Sequence, residues 1–131
     1  MKNQTDAIGK KLRDFRDSVL IYFSEEDDSW IAHSLRTDQI GLGDDVVTAL
    51  SNLIRAIDSL IELCKEDRTL ALFRDAPADV KKRARAAKPL RRELYEIAHL
   101  KARGKWPDDQ PLKVEPEEDE AFIAKIAEHI S

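Results

Sequence analysis

From Val46 to Cys64 the apolar residues recur at helical spacing. Val46, Ala49, Leu50, Leu53, Ile54, Ile57, Leu60, Ile61 and Cys64 fall at offsets 0, 3, 4, 7, 8, 11, 14, 15 and 18. This is one face of an α-helix held for about five turns, and it predicts a helix within Asp44 to Asp67. Asp44 or Asp45 can cap its first turn, because a carboxylate there accepts an orphan backbone N–H and suits the positive end of the helix dipole. Gly41 and Gly43 are expected to break the strand that precedes it. The apolar stripe is too continuous to face water, so another layer must cover it.

The strands that supply the layer show a different period. Ser18 to Ser24 is continuously apolar, with two aromatics and two β-branched residues, and predicts a central strand. Glu25, Glu26, Asp27 and Asp28 follow as an acidic turn, and Trp30 to Leu35 alternates as the returning strand of a hairpin. Val19, Ile21 and Phe23 would share a face with Trp30 and Ala32, or the alternate set would; the pattern leaves both open. A third short strand is expected around Gln39 to Leu42, and a fourth at Thr69 to Phe73. Together these predict an α+β chain: an antiparallel β-β-β-α-β sheet with one long helix packed across it, in a first domain of residues 1–73. At its start, Ile8, Leu12 and Phe15 fit a short amphipathic helix or a frayed arm.

Residues 74–131 read as a helical extension. Ala76 to Gly104 is basic and helical in pattern, with a start signal at Asp75 and Pro77 and a stop at Gly104. Pro89 either kinks one helix or opens a second. Leu90, Leu94, Ile97 and Ala98 form an apolar stripe in its second half. A connector over 105–116 carries an edge-strand candidate at Leu112 to Val114. The last element, over 117–130, reads as an acidic amphipathic helix, with Phe122, Ile123, Ile126, Ala127 and Ile130 as its apolar stripe.

Composition narrows the chemistry. The chain has 131 residues, so it can bury a core without covalent staples. Its single cysteine, Cys64, excludes an intrachain disulfide and makes a thiolate metal site improbable. With no apolar signal-peptide core and no membrane-length apolar run, a cytoplasmic protein away from membranes is expected. His33, His99 and His129 are dispersed, and His33 reads as a surface or edge residue. Glu25 to Asp28 lack the alternation of a calcium loop. Gly41 to Gly43 lack the further glycine and lysine of a phosphate loop, and no nucleophile elbow is present. The expectation is therefore a non-enzymatic protein without metal or cofactor.

Charge is segregated. The net formal charge is −4, yet Arg74 to Lys105 carries eleven Lys and Arg against four acids, whereas Asp108 to Ser131 carries two lysines against eight acids. Blocks of opposite sign meet each other or meet a partner. Lys81, Arg85, Lys88 and Arg92 share a face if the helix is continuous. With Lys82, Arg83 and Arg91 they form a candidate nucleic-acid surface.

Ser18 to Asp67 resembles the HicB-like antitoxin family. The strand pair VLIYFSEEDDSWIAHSL is followed by GDDVVTALSNLIRAI, in which Gly43, Asp44, Ala49, Asn52, Ala56 and Ile57 fit the family's helix-opening pattern. Asp45 and Thr48 stand where that pattern has Ser or Thr and Glu. The resemblance implies a β-β-β-α-β fold of double-stranded-RNA-binding-like or partial RNase H type, with no catalytic activity. It further implies an antitoxin-type or orphan regulator that binds a small basic toxin protein. Glu25 to Asp28 would meet that partner, and Phe122, Ile126 and Ile130 would bury area against it or hold a homo-oligomer, dimer or tetramer. Many family members also bind operator DNA through a C-terminal motif; residues 74–131 show neither of the usual signatures, so DNA binding through the basic helix is the alternative.

Overall fold

The computed structural model describes residues 14–107, 116–118 and 120–129. The chain is a mixed α+β protein, with a five-stranded sheet and three helices among the described residues. In order these are β1 (Asp14–Ser24), β2 (Ser29–Ser34), β3 (Ile40–Gly43), α1 (Val46–Glu66), α2 (Ala78–Arg85), β4 (Lys88–Pro89), α3 (Arg92–Ala102) and β5 (Phe122–His129). The sheet order is β3-β2-β1-β5-β4. The β4–β5 pair is parallel and the other three described pairs are antiparallel.

Helix α1 forms where its stripe predicts it. Asp45 is the N-cap, and its carboxylate accepts the Thr48 N–H at 2.7 Å. Ala49, Leu50, Leu53 and Ile57 are buried against the sheet. Gly41 lies inside β3 and Gly43 is its last residue, and a Cβ at Gly41 would stand 2.3 Å from the Ala49 carbonyl oxygen. Glycine lets the helix backbone rest directly on the strand.

Period-two alternation settles the faces. Val19 and Ile21 of β1, Trp30 and Ala32 of β2, and Phe122, Ala124 and Ile126 of β5 join α1 in one core. Phe23 meets Trp30 edge to face, with centroids 5.8 Å apart. Leu20 and Ile31, on the opposite face, are also buried. Helix α2 lies against β1 on that second face, where the Arg83 guanidinium sits 4.2 Å from the Tyr22 ring centre. Helix α3 packs along α1 through Leu94, Ile97 and Ala98. Arg55 of α1 donates to the carbonyls of Lys101 and Ala102 at 2.8 and 3.3 Å, which ties the C-terminal end of α3 to α1.

Several expectations are corrected. The stretch over 117–130 is not a helix: Phe122–His129 is the strand β5, paired antiparallel with β1 from Asp14↔His129 to Ile21↔Phe122. Its sequence fits either period, and the open edge of β1 decides between them. The C-terminal segment thereby enters the sheet of the first segment. Thr69 to Phe73 is not a strand, because β5 fills the place beside β1; Asp67 instead ties Thr69 into a turn through its N–H and its hydroxyl, at 3.0 and 2.6 Å. The basic stretch over 76–104 is two helices separated by β4. Pro89 sits at the sheet edge, where its missing N–H costs no ladder bond. Lys81 and Arg85 therefore do not continue a helical face into Lys88 and Arg92. Phe15 lies in β1 rather than in a helix. Ile8, Leu12, Leu112 to Val114 and Ile130 lie outside the described residues.

Candidate functional site

Strand β1 is longer than its neighbour. Strand β2 ends at Ser34, opposite Val19, while β1 runs back to Asp14 with β5 alone as its strand partner. The chain leaving β2 turns beside this overhang: Leu35 N–H donates to the Ser18 carbonyl at 3.0 Å. Helix α2 crosses the same end. Between these elements lies an open groove of about 730 Å³.

Five cations line it: Arg16 of β1, Arg36 of the loop after β2, Lys81 and Arg85 of α2, and Lys125 of β5. Each is placed by a simple rule. Lys81 and Arg85 are four apart and share a helix face. Lys125 pairs with Ser18 in register, so it shares a sheet face with Arg16, two residues back along β1. Arg36 is held by a bond from Nη1 to the Arg16 carbonyl at 2.8 Å, and its guanidinium lies 4.5 Å from the Phe73 ring centre.

Two carboxylates face the groove, Asp17 and Asp75. Asp75 pairs with Lys81 at 3.3 Å and is largely exposed, where such a pair is weak. Asp17 is buried and structural. It accepts from the Ser34 hydroxyl and, at 3.1 Å, from the Arg36 N–H. Ser34 in turn accepts from the Thr37 N–H and hydroxyl at 3.0 and 2.6 Å. Burial pushes the Asp17 carboxyl above its ordinary value, against the lowering effect of Ser34, the Arg36 and Ser18 backbone and the Arg36 charge. Asp17 thus builds the turn that aims Arg36. Arg16, Arg85 and Lys125 make no ion pair among the described residues. Ile123 and Ile126 also line the groove, and among the described residues no aromatic ring does.

Of the seven cations singled out in the sequence, the groove gathers Lys81 and Arg85. Arg83 is spent on Tyr22, Lys88 pairs with Glu120 at 3.0 Å, and Arg92 pairs with Glu96 at 3.0 Å. Lys82 and Arg91 are exposed away from the groove. Arg16, Arg36 and Lys125 escaped the sequence reading. Lys125 alone left a trace, as the polar position between Ala124 and Ile126.

The acidic residues Glu25 to Asp28 form the exposed β1–β2 turn, at the end of the sheet opposite the groove. Phe122 and Ile126 are buried in the core, so they offer no partner surface. His33 is buried rather than at the surface, its Nε2 2.6 Å from Asp38 Oδ1. Cys64 is buried in the core, where desolvation, and after it the Asp67 charge, push its thiol up. Among the described residues no three His, Cys, Asp or Glu side chains gather as metal ligands, and no helix is long and apolar enough to cross a membrane. No family model, no curated protein and no solved structure matches this chain.

Proposed function

We propose that this chain is a non-catalytic, HicB-like regulator that binds the phosphate backbone of single-stranded nucleic acid in the cationic groove. The observation that carries the reading is the convergence of Arg16, Arg36, Lys81, Arg85 and Lys125, from four separate segments, around one concave surface. Guanidinium groups suit phosphate oxygens because they present paired donors in a fixed plane. A concave, cation-lined surface of this kind tracks a single-stranded backbone. Among the described residues the lining is cationic and aliphatic, so the reading is recognition of the backbone that is indifferent to sequence.

The test is anisotropy of labelled mixed-sequence RNA and DNA, single-stranded and duplex, across a salt series. Five phosphate contacts on a single strand give a slope of log K against log salt of about −3.5. The variant Arg85→Glu with Lys125→Glu weakens binding at least about tenfold and flattens the slope by more than about 1. Absence of binding at low salt, or binding that the variant leaves intact, overturns the reading.

The second reading is an antitoxin-type protein that covers a small basic partner. It is supported by Glu25 to Asp28, which are exposed and free of ion pairs among the described residues. Capture from native lysate that returns only the chain itself counts against it. Light scattering at low and high salt reports whether the chain is a monomer, dimer or tetramer.

A further inference from the structure

We propose that the outer edge of β3 is a docking strand for an extended, basic segment of another protein, which adds a sixth strand to the sheet. The site is separate from the groove and does not depend on the groove's ligand.

Among the described residues β3 is the last strand on its side of the sheet. Ser34 N–H donates to the Gln39 carbonyl at 2.9 Å, and His33 then stands opposite Ile40 and Ile31 opposite Leu42. By the alternation of an antiparallel ladder, the N–H and C=O groups of Ile40 and Leu42 point outward, away from β2. The Leu42 carbonyl is taken by Asn52 Nδ2 at 2.7 Å. The N–H groups of Ile40 and Leu42 meet no acceptor among the described residues.

The side chains add a second signal. Gly41 and Gly43 face α1, so Ile40 and Leu42 project from the opposite face of the sheet. They are 49% and 50% exposed, the apolar pair at the rim of a face otherwise covered at Leu20 and Ile31. Natural edge strands are guarded by short length, lysine, proline or a bulge. Ile40–Gly43 is short, at four residues, but carries no lysine, proline or bulge.

Charge selects the occupant. From Ser24 to Ile54 the chain holds seven acids and one cation, Arg36, which is engaged at the groove end. Asp44 and Asp45 follow β3 directly. Gly43 pairs with Trp30, which places the Glu25 to Asp28 turn beside them. A second copy is a poor occupant. Antiparallel self-pairing would set Asp44 and Asp45 of each chain toward Asp38 of the other, and parallel pairing would set like on like. A strand with apolar residues on the Ile40 and Leu42 face and Lys or Arg at its ends meets opposite charge instead. This is β-strand addition, in which the main chain supplies affinity and flanking side chains supply choice.

The probe is a synthetic nonapeptide, Lys-Lys-Val-Thr-Val-Thr-Val-Lys-Lys, titrated into the full chain and followed by backbone amide NMR. A version with glutamate for every lysine is the control. The lysine peptide is expected to shift the Ile40 and Leu42 amides first, to bind at least tenfold more tightly than the glutamate peptide, and to lose at least tenfold against Leu42→Lys. Leu42→Lys keeps nucleic-acid binding in the groove, which separates the two sites. Unmoved edge amides, or equal binding of the two peptides, overturns the proposal. So does a self-associated chain that Leu42→Lys converts to a monomer, because the second copy would then hold the edge.

Discussion

Replacing Gly41 by alanine adds one methyl group at the tightest approach between β3 and α1. The new Cβ would stand 2.3 Å from the Ala49 carbonyl oxygen, 2.4 Å from the Leu53 nitrogen and 2.9 Å from the Leu53 Cα. Ordinary contact begins at 3.4 Å. All three opposing atoms are backbone, so no rotamer change relieves the clash. Helix and strand must part by about 1 Å, which opens the layer that holds Leu50, Leu53 and Ile57. Overpacking of this kind costs typically 1–3 kcal/mol, and a rigid backbone neighbour puts the cost near the top, about 3 kcal/mol. For a chain of 131 residues the unfolding entropy is about 0.28 kcal/mol/K, so the midpoint falls by about 11 °C. Thermal and urea melts followed by circular dichroism measure it. Gly104→Ala is the control: its Cβ meets nothing within 4 Å, and the only penalty is the left-handed backbone at φ +71°, about 1 kcal/mol. If Gly41→Ala melts within a few degrees of the parent, or above Gly104→Ala, the seating of α1 on β3 is wrong.

Two further perturbations probe single contacts. Asp45→Ala removes the side-chain acceptor for Thr48 N–H and is expected to cost about 1 kcal/mol in a urea titration, with Asp45→Asn recovering most of it. Asp17 sets a pH dependence: its folded carboxyl binds a proton more tightly than the unfolded one at 3.8, so its contribution to stability is full below 3.8 and is lost as pH rises through the folded value. Unfolding free energies of the parent and of Asp17→Asn across that window should converge and then separate; parallel profiles would remove desolvation as the cause.

The sheet's first three strands and α1 were legible because their signals are local. The stripe from Val46 to Cys64 and the cap at Asp45 lie within one helix, and the Val19 to Trp30 hairpin is a short-range alternation. Strand β5 was not legible. Phe122, Ile123, Ile126 and Ala127 fit a helix, while Phe122, Ala124 and Ile126 fit a strand, and the alanines and charged residues favour the helix intrinsically. The empty side of β1 reverses that preference, and it lies far away in sequence. The groove was half legible for the same reason. Lys81 and Arg85 share a helix turn, but Arg16, Arg36 and Lys125 meet only through the β1–β5 register.

That register has a consequence for synthesis. Ile21 leaves the ribosome long before its partner Phe122. Until the last strand emerges, the nascent chain carries β1 with one side unsatisfied, and α1 covers a sheet that lacks Phe122, Ala124 and Ile126. A long hydrophobic strand open on one side is a template for pairing with other chains, and contacts of such sequence separation form slowly. Slowing translation between α3 and β5 should therefore lengthen the most aggregation-prone interval in the life of the molecule, whereas slowing it upstream of β1 should leave it unaffected.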